Sequence, residues 1–581
     1  MINLICISVY FLSLLALVKP LGAYIAKIYT DKAKINKYAW KIENLIYSIC
    51  AIDPNKEMDW KEYLTSMLIF NFIGLICMYC LQRLQYYLPL NPQHFANISP
   101  VMAFNTAVSF VTNTNWQSYN GGETTLSYLT QMLGLTVQNF LSAATGLSLL
   151  IAFIRGLIRH ESKHLGNFWS DTIRGIIYIF LPLASILAIA LASQGVMQNF
   201  NHYQEITLLE SMPDTTATTT HLLPMGPAAS QVAIKQLGTN GGGFFSTNSA
   251  HPFENPTPLT NFLQMLAIML LPAALCYTFG KMIGSTIHGW ALLIAMFSIF
   301  IPLTAVSILA EQQGNPQLIS MGIDDIPKNG LYAAGNMEGK ETRFGAINSA
   351  LWANISTATS SGSLNSMLDS FMPLGVISPL CFMNLGEVIF GGVGSGLYGF
   401  LILVIITVFV AGLMVGRTPE YLGKKIGIYE IKMASVTILI MPLFVLIATA
   451  ISASIPAGIS TIGNPQAHGF TEILYAWSSM GNNNGSMLAG LKINTPFYNI
   501  LGGIIMLINR YWIAITVLAL AGSLVKKKLI PENLGTLATH TPLFTSLVLS
   551  TAIMVSALSF FSALALGPIV EHIMIWSGYE H

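Results

Sequence analysis

Charge is what this chain has least of. Asp, Glu, Lys and Arg make up 9% of its 581 residues, against roughly 25% in a soluble domain. With 53% hydrophobic residues and a mean hydropathy of +0.60, the composition argues against a soluble enzyme and for a polytopic membrane protein. A net charge of +1 points to neither nucleic acid nor an acidic partner. Cysteine is also scarce: six residues, at 6, 50, 77, 80, 276 and 381, most of them inside apolar runs. Cys77 and Cys80 have CxxC spacing but no second pair and no nearby histidine, so they read as small packing residues. No GxxxxGK[ST] phosphate loop occurs. Gly416 to Lys425 only imitates one, with wrong spacing and no Ser or Thr after the lysine. Segments between apolar runs are too short for a nucleotide domain, so ATP hydrolysis would come from a partner. The alternating short segments of a transmembrane β-barrel are missing too. Residues 2–18 carry no basic n-region and no clear cleavage site follows, so they are expected to be a retained first span.

What is present is a succession of apolar runs of about 20 residues, long enough to cross a bilayer. Lys27, Lys32, Lys34, Lys37, Lys41, Lys56 and Lys61 make 27–61 the most charged segment, hence cytoplasmic. Spans are expected at 64–88, 130–154, 175–193, 260–280, 288–310, 433–454, 497–522 and 542–563. Arg155, Arg159, Lys163 and Arg174, then Lys281, then Lys424, Lys425 and Lys432, then Lys526 to Lys528 all fall on the cytoplasmic side of that count. Both termini then lie outside. Outer loops are expected around 211–227 and at 311–343. Short helices at 100–110, 228–237, 344–358 and 469–477 are too short to span and read as re-entrant. The expected fold is therefore all-α and polytopic: four span–pore-helix–filter–span repeats, potassium-channel-like and pseudo-fourfold, with one extra helix at each end and about ten spans. The units are a first span and loop (1–62), repeats at 63–160, 161–284, 285–425 and 426–528, and a last span (529–581).

Each short helix leads into a small polar stretch. Gly238-Thr239-Asn240-Gly241-Gly242-Gly243 is the most glycine-rich. Thr112-Asn113-Thr114-Asn115, Thr359-Ser360-Ser361-Gly362 and Ser478-Ser479-Met480-Gly481 are its cousins, the fourth filter being placed at 478–483. Their aligned ends at 115, 241, 362 and 481 are 126, 121 and 119 positions apart, as diverged copies of one unit would be. Four polar loops around one axis can supply a cation with backbone carbonyls. The candidate donors are Asn113, Thr114, Asn115, Thr239, Asn240, Gly241, Ser361, Gly362, Met480 and Gly481, with the Gln117 side chain just beyond; that side chain could equally cap the next turn. Helix C-termini aimed at the axis favour a cation. The four stretches hold no Lys or Arg for an anion and no carboxylate for a divalent ion, so a monovalent cation is preferred. Asn482, Asn483 and Asn484 are expected to brace the fourth loop. The alternative for any single loop is that small polar residues simply pack helices.

Two charges sit inside apolar runs: Glu387 and Arg510. Such residues mark functional sites by default, although a buried pair tying two repeats together is the other reading. The run 372–415 is too long for one span and is broken by Gly391-Gly392-Val393-Gly394-Ser395-Gly396, with Glu387 just before the break. A broken helix beside a cavity suits a gate or an exit route. Arg417 lies at its cytoplasmic end. Asp369 follows the third loop and is assigned no role.

These motifs carry a resemblance. Thr112 to Gln117, Gln236 to Phe245, Asn248 to Pro256, Asn336 to Glu341, Gly386-Glu387-Val388, Gly416 to Lys425 and Asn482 to Ser486 resemble the potassium-binding A chain of the bacterial Kdp potassium-transporting ATPase, from about residue 10 to the end. The resemblance implies a four-chain inner-membrane complex. This chain would take up potassium as substrate, with no tightly bound cofactor; a P-type ATPase chain would hydrolyse ATP, and two small membrane chains would complete it. It also implies that Gln117, Gly241, Gly362, Glu387 and Arg510 serve the filter or the route below it. The alternative is an autonomous potassium channel or an ion-coupled symporter of the four-repeat class.

Overall fold

The computed structural model describes residues 2–30, 37–207, 220–245, 247–322, 335–531 and 537–577. Lys32 and Lys34, positions 211–219 of one outer loop and 323–334 of the other lie outside them. Among the described residues, ten helices are long and apolar enough to cross a membrane. Four units repeat the order span, short helix, loop, span. Their outer spans begin at Trp60, Phe168, Thr286 and Ile428. Their pore helices are Pro100–Val111, Ala228–Leu237, Gly345–Ala358 and Gln466–Asn482. Their inner spans are Thr130–Ile158, Pro258–Met282, a broken pair, and Pro496–Leu524. Helices Ile2–Thr30 and Pro542–Leu564 flank the four units. Among the described residues, strands are confined to three two-stranded ribbons.

The helix starts are written in the sequence. Ser99-Pro100, Thr257-Pro258, Thr495-Pro496 and Thr541-Pro542 each put a capping hydroxyl before a proline at the first helical position. The hydroxyl takes an orphan N–H, and proline has none to lose. Apolar side chains on the outer rim, such as Ile186, Ile189 and Leu558, are exposed as a lipid-facing surface requires. The pore helices and loops, by contrast, are buried almost throughout.

The third inner span is interrupted as expected. Helix Pro373–Asn384 stops, and Ser395–Met414 starts after a loop with positive φ at Gly386, Glu387, Phe390, Gly391 and Gly394. This loop lies against the filter loops: Gly391 N–H donates to Ala358 O (2.8 Å) and Val393 N–H to Thr239 Oγ1 (3.0 Å). A side chain at Gly394 would collide with the Gly146 carbonyl of the first repeat. Basic loops meet at one end of the molecule: Arg159 pairs with Glu57 (2.9 Å) and Arg174 with Glu43 (2.8 Å), Glu161 N–H donates to Lys527 O (3.2 Å), and Lys424 Nζ donates to Gly156 O (2.8 Å).

The fourth unit departs from expectation. Its pore helix runs to Asn482, through the stretch expected to be filter, so Met480 and Gly481 are helical. Within the first basic segment, Lys37–Ile49 is a helix rather than a loop. The last helix continues past Leu564 through a kink at Gly567 to Ser577.

Candidate ion-selective site

One hydrogen bond recurs in every loop and fixes their true register. Thr114 N–H reaches back to Ser109 O (2.8 Å), Asn240 to Lys235 O (2.9 Å), Ser361 to Ser356 O (2.8 Å) and Asn484 to Ser479 O (2.9 Å). The residues on either side of these four have positive φ: Asn113 and Asn115, Thr239 and Gly241, Ser360 and Gly362, Asn483 and Gly485. Left-handed backbone costs energy for any residue but glycine, least for Asn. Its repetition at eight positions marks one conserved shape, held against strain. Alternating handedness sets successive N–H groups on one side and carbonyls on the other. The N–H groups face the pore helices. Among the described residues, the carbonyls of Thr114, Asn240, Ser361 and Asn484 accept no hydrogen bond.

The loops meet edge to edge. A Cβ added at Gly241 would collide with the Ser361 carbonyl, at Gly362 with that of Asn484, and at Gly485 with that of Thr114. The three glycines are required by the approach of the neighbouring loop as much as by their φ. At the fourth junction Asn115 stands in the glycine position, and its Nδ2 donates to Gly241 O (3.0 Å) and Asn139 Oδ1 (2.8 Å). Asn113 Nδ2 donates to Thr239 O (3.0 Å), and Asn240 Nδ2 returns to Asn113 Oδ1 (2.5 Å). Asn483 Nδ2 donates to Thr114 Oγ1 (2.9 Å). Gln117 hydrogen-bonds Gly243, so its side-chain oxygen accepts that N–H instead of facing outward.

The loops separate two cavities. An outer one of about 920 Å³ is lined by Asn115, Gln117 and Gly485. An inner one of about 100 Å³ is lined by Ser360, Asn482, Asn483, Glu387 and Arg510. Glu387 and Arg510 line the same cavity, but among the described residues they form no ion pair, so the reading of them as a buried pair tying two repeats together does not hold. Glu387 lies beside the side chains of Ser360 and Asn484, with neither carboxylate oxygen satisfied by a normal hydrogen bond. A buried carboxylate short of hydrogen bonds is costly. Arg417 is elsewhere: it is exposed beyond Met414, at the far end of a 20-residue helix, and lines neither cavity.

The expected fourth set of donors, Met480 and Gly481, lies outside this register. Gly481 O is taken by Asn509 Nδ2 (2.9 Å) and Met480 O by the N–H of Asn483 that ends the helix. The residues that share the loop geometry are Asn483, Asn484 and Gly485, with Ser360 in the third loop. The signal was in the sequence: a glycine at 485 sits 123 positions after Gly362. The small-polar run ending in Gly481 mimicked the third loop one helical turn too early.

A profile of the family described as KdpA, Potassium-transporting ATPase A subunit, matches residues 8–573. The chain belongs to this family. Two members named potassium-transporting ATPase potassium-binding subunit are each 56% identical to it: that of Methylococcus capsulatus over 97% of either chain, and that of Herpetosiphon aurantiacus over 99% of either. The crystal structure of the potassium transporter TrkH from Vibrio parahaemolyticus shares the fold of this A-subunit chain, with a TM-score of 0.50 at 15% identity, covering 88% of this chain and 95% of that one.

Proposed function

We propose that the four loops are a potassium filter and that this chain is the potassium-binding subunit of a potassium-transporting ATPase. The observation that carries it is the set of four unpaired carbonyls at one register, between an outer and an inner cavity. A dehydrated alkali cation needs several neutral oxygens at fixed places, and here rigidity comes from side chains stitching loop to loop. The set is Thr114, Asn240, Ser361 and Asn484, flanked by Asn113, Asn115, Thr239, Gly241, Ser360, Gly362, Asn483 and Gly485. Potassium enters from the outer cavity, passes the loops and reaches Glu387, whose carboxylate offers the next stop.

The family membership supports a division of labour. A P-type ATPase chain hydrolyses ATP, two small membrane chains complete the complex, and this chain binds and passes the ion. The basic loops gathered at one end favour that end as cytoplasmic, in a bacterial inner membrane with both termini outside. An autonomous channel or symporter is the second reading, and the fold shared with TrkH fits it equally. The test compares the chain alone with the whole complex in proteoliposomes. Potassium-stimulated ATP hydrolysis by the complex, with no potassium flux through the chain alone, is expected. Flux through the isolated chain would reverse the choice.

A further inference from the structure

The four loops are alike in backbone but not in what holds them from behind. In the first, Ser109 Oγ donates to Trp116 O (3.0 Å). In the third, Trp352 Nε1 donates to the equivalent carbonyl, Ser363 O (2.8 Å), and Ser356 Oγ stands idle. In the fourth, Tyr475 and Ser486 pair through their hydroxyls (2.8 Å). The second loop alone uses a charge. Lys235 occupies the place of Ser109, Ser356 and Ser479, and its Nζ donates to Gly242 O (2.8 Å), the carbonyl equivalent to that of Trp116. Its backbone oxygen accepts from Asn240 (2.9 Å) and Gly241 (3.4 Å). One residue thus holds three consecutive members of the loop.

The ammonium is paired with Glu254, and both side chains are 0% exposed. Glu254 Oε1 accepts from Phe245 N–H (2.9 Å) and its backbone oxygen from Gln264 Nε2 (2.9 Å), so the pair ties the pore helix to the segment leaving the loop and to the next span. Charge-assisted bonds are shorter and stronger than neutral ones. They suit the loop with three consecutive glycines, which has the least side-chain bulk to fix it.

We propose that Lys235, held by Glu254, is a positioning residue that sets ion discrimination by fixing the second loop. It turns the Gly242 carbonyl away from the ion path and keeps the Asn240 carbonyl on it. The inference rests on the proposed potassium filter and names what gives that filter its stiffness.

The test measures cation-activated ATP hydrolysis of the whole complex against potassium, rubidium and ammonium. Lys235→Met is expected to raise the half-saturating potassium concentration about tenfold, the equivalent of one such bond, and to narrow the potassium-to-rubidium ratio. The maximal rate should stay within about twofold, because nothing at the ATP site changes. Lys235→Arg should recover part of the selectivity. Lys235→Ser with Glu254→Gln leaves no unpaired buried charge and restores the serine of the other repeats. It should assemble, yet keep the raised half-saturation. Wild-type affinity and ratio in that double variant would overturn the proposal, and so would its failure to assemble, which would make the pair a folding tie. A wild-type complex showing no potassium preference would instead bring down the filter reading itself.

Discussion

Gln117 and Gly243 hydrogen-bond in both directions, Nε2 to the carbonyl at 3.0 Å and N–H to Oε1 at 2.8 Å. Asn113 with Thr239 and Asn115 with Gly241 pair at the same offset of 126 residues. The first two loops are therefore latched in register by three side chains of one loop gripping the backbone of the other. Register and carbonyl geometry are fixed by the same contacts.

Gln117→Arg removes the acceptor for Gly243 and adds positive charge at the outer mouth; Gln117→Glu removes the donor and adds negative charge. If charge alone mattered, the two would act oppositely. The latch makes both weaken potassium binding, by about tenfold if about 1.4 kcal/mol of hydrogen bonding is lost. Half-saturating potassium for ATP hydrolysis by the complex is the measurement. Tighter binding in Gln117→Glu would remove the latch from the explanation.

Gly485→Ala and Gly481→Ala separate the two registers of the fourth loop. Gly485 has a φ of 100° and faces the Thr114 carbonyl, whereas Gly481 is helical and faces side chains, Val445 first and then Asn509. The first substitution should degrade discrimination between potassium and sodium or rubidium. The second should leave discrimination intact and lower thermal stability by about 1–3 kcal/mol through overpacking. Gly241→Asp belongs with the first, since its Cβ meets the Ser361 carbonyl. The reverse pattern would place Gly481, not Gly485, against the ion path.

The sequence exposes the architecture because hydropathy and lysine placement act at the scale of whole spans. The break after Asn384 was legible too, because a glycine cluster inside an apolar run has few other meanings. What it did not expose was the fourth loop, where a helix runs one turn further than Ser478 to Gly481 suggest. Small polar residues fit a pore-helix end and a filter equally well. Only the back-bond from Asn484 to Ser479 tells them apart, and it depends on three-dimensional closure. Nor does the sequence mark Lys235, whose partner Glu254 lies 19 residues on and beyond a loop.

His468 predicts a pH dependence. Its Nδ1 donates to Glu571 (2.7 Å) and its Nε2 to Asp369 (3.2 Å), tying the fourth pore helix to the third loop's exit and to the kinked C-terminal helix. Burial alone would lower its pKa, but the hydrogen bonds to Asp369 and Glu571 and their charges outweigh it and raise it to about 10. A raised pKa gives stability that is fully present below the ordinary value of 6.5 and is lost as pH climbs through about 10. The unfolding temperature of the complex should fall between pH 7 and 10, and His468→Gln should start lower and fall less. Equal slopes in both proteins would show that other groups carry the effect.

Glu387 separates selection from delivery. It sits on the broken third span, below the Ser360 and Asn483 ends of the loops, and shares a cavity with Arg510 without pairing to it. The free carbonyls proposed to choose the ion belong to other residues. Removing the charge should therefore spare the choice and hinder the next step. Glu387→Gln keeps the shape of the side chain and cancels its attraction for a cation leaving the filter. Potassium-to-rubidium discrimination in the complex should stay within about twofold, while potassium uptake should fall at least tenfold, about 1.4 kcal/mol of lost stabilisation at that stop. ATP hydrolysis and potassium uptake need to be followed side by side in proteoliposomes, because hydrolysis that continues without uptake would mean uncoupling and a fall in both would mean a blocked route. Normal coupled uptake in Glu387→Gln would leave the carboxylate with no part in transport. Lost discrimination would instead extend the filter itself down to this residue.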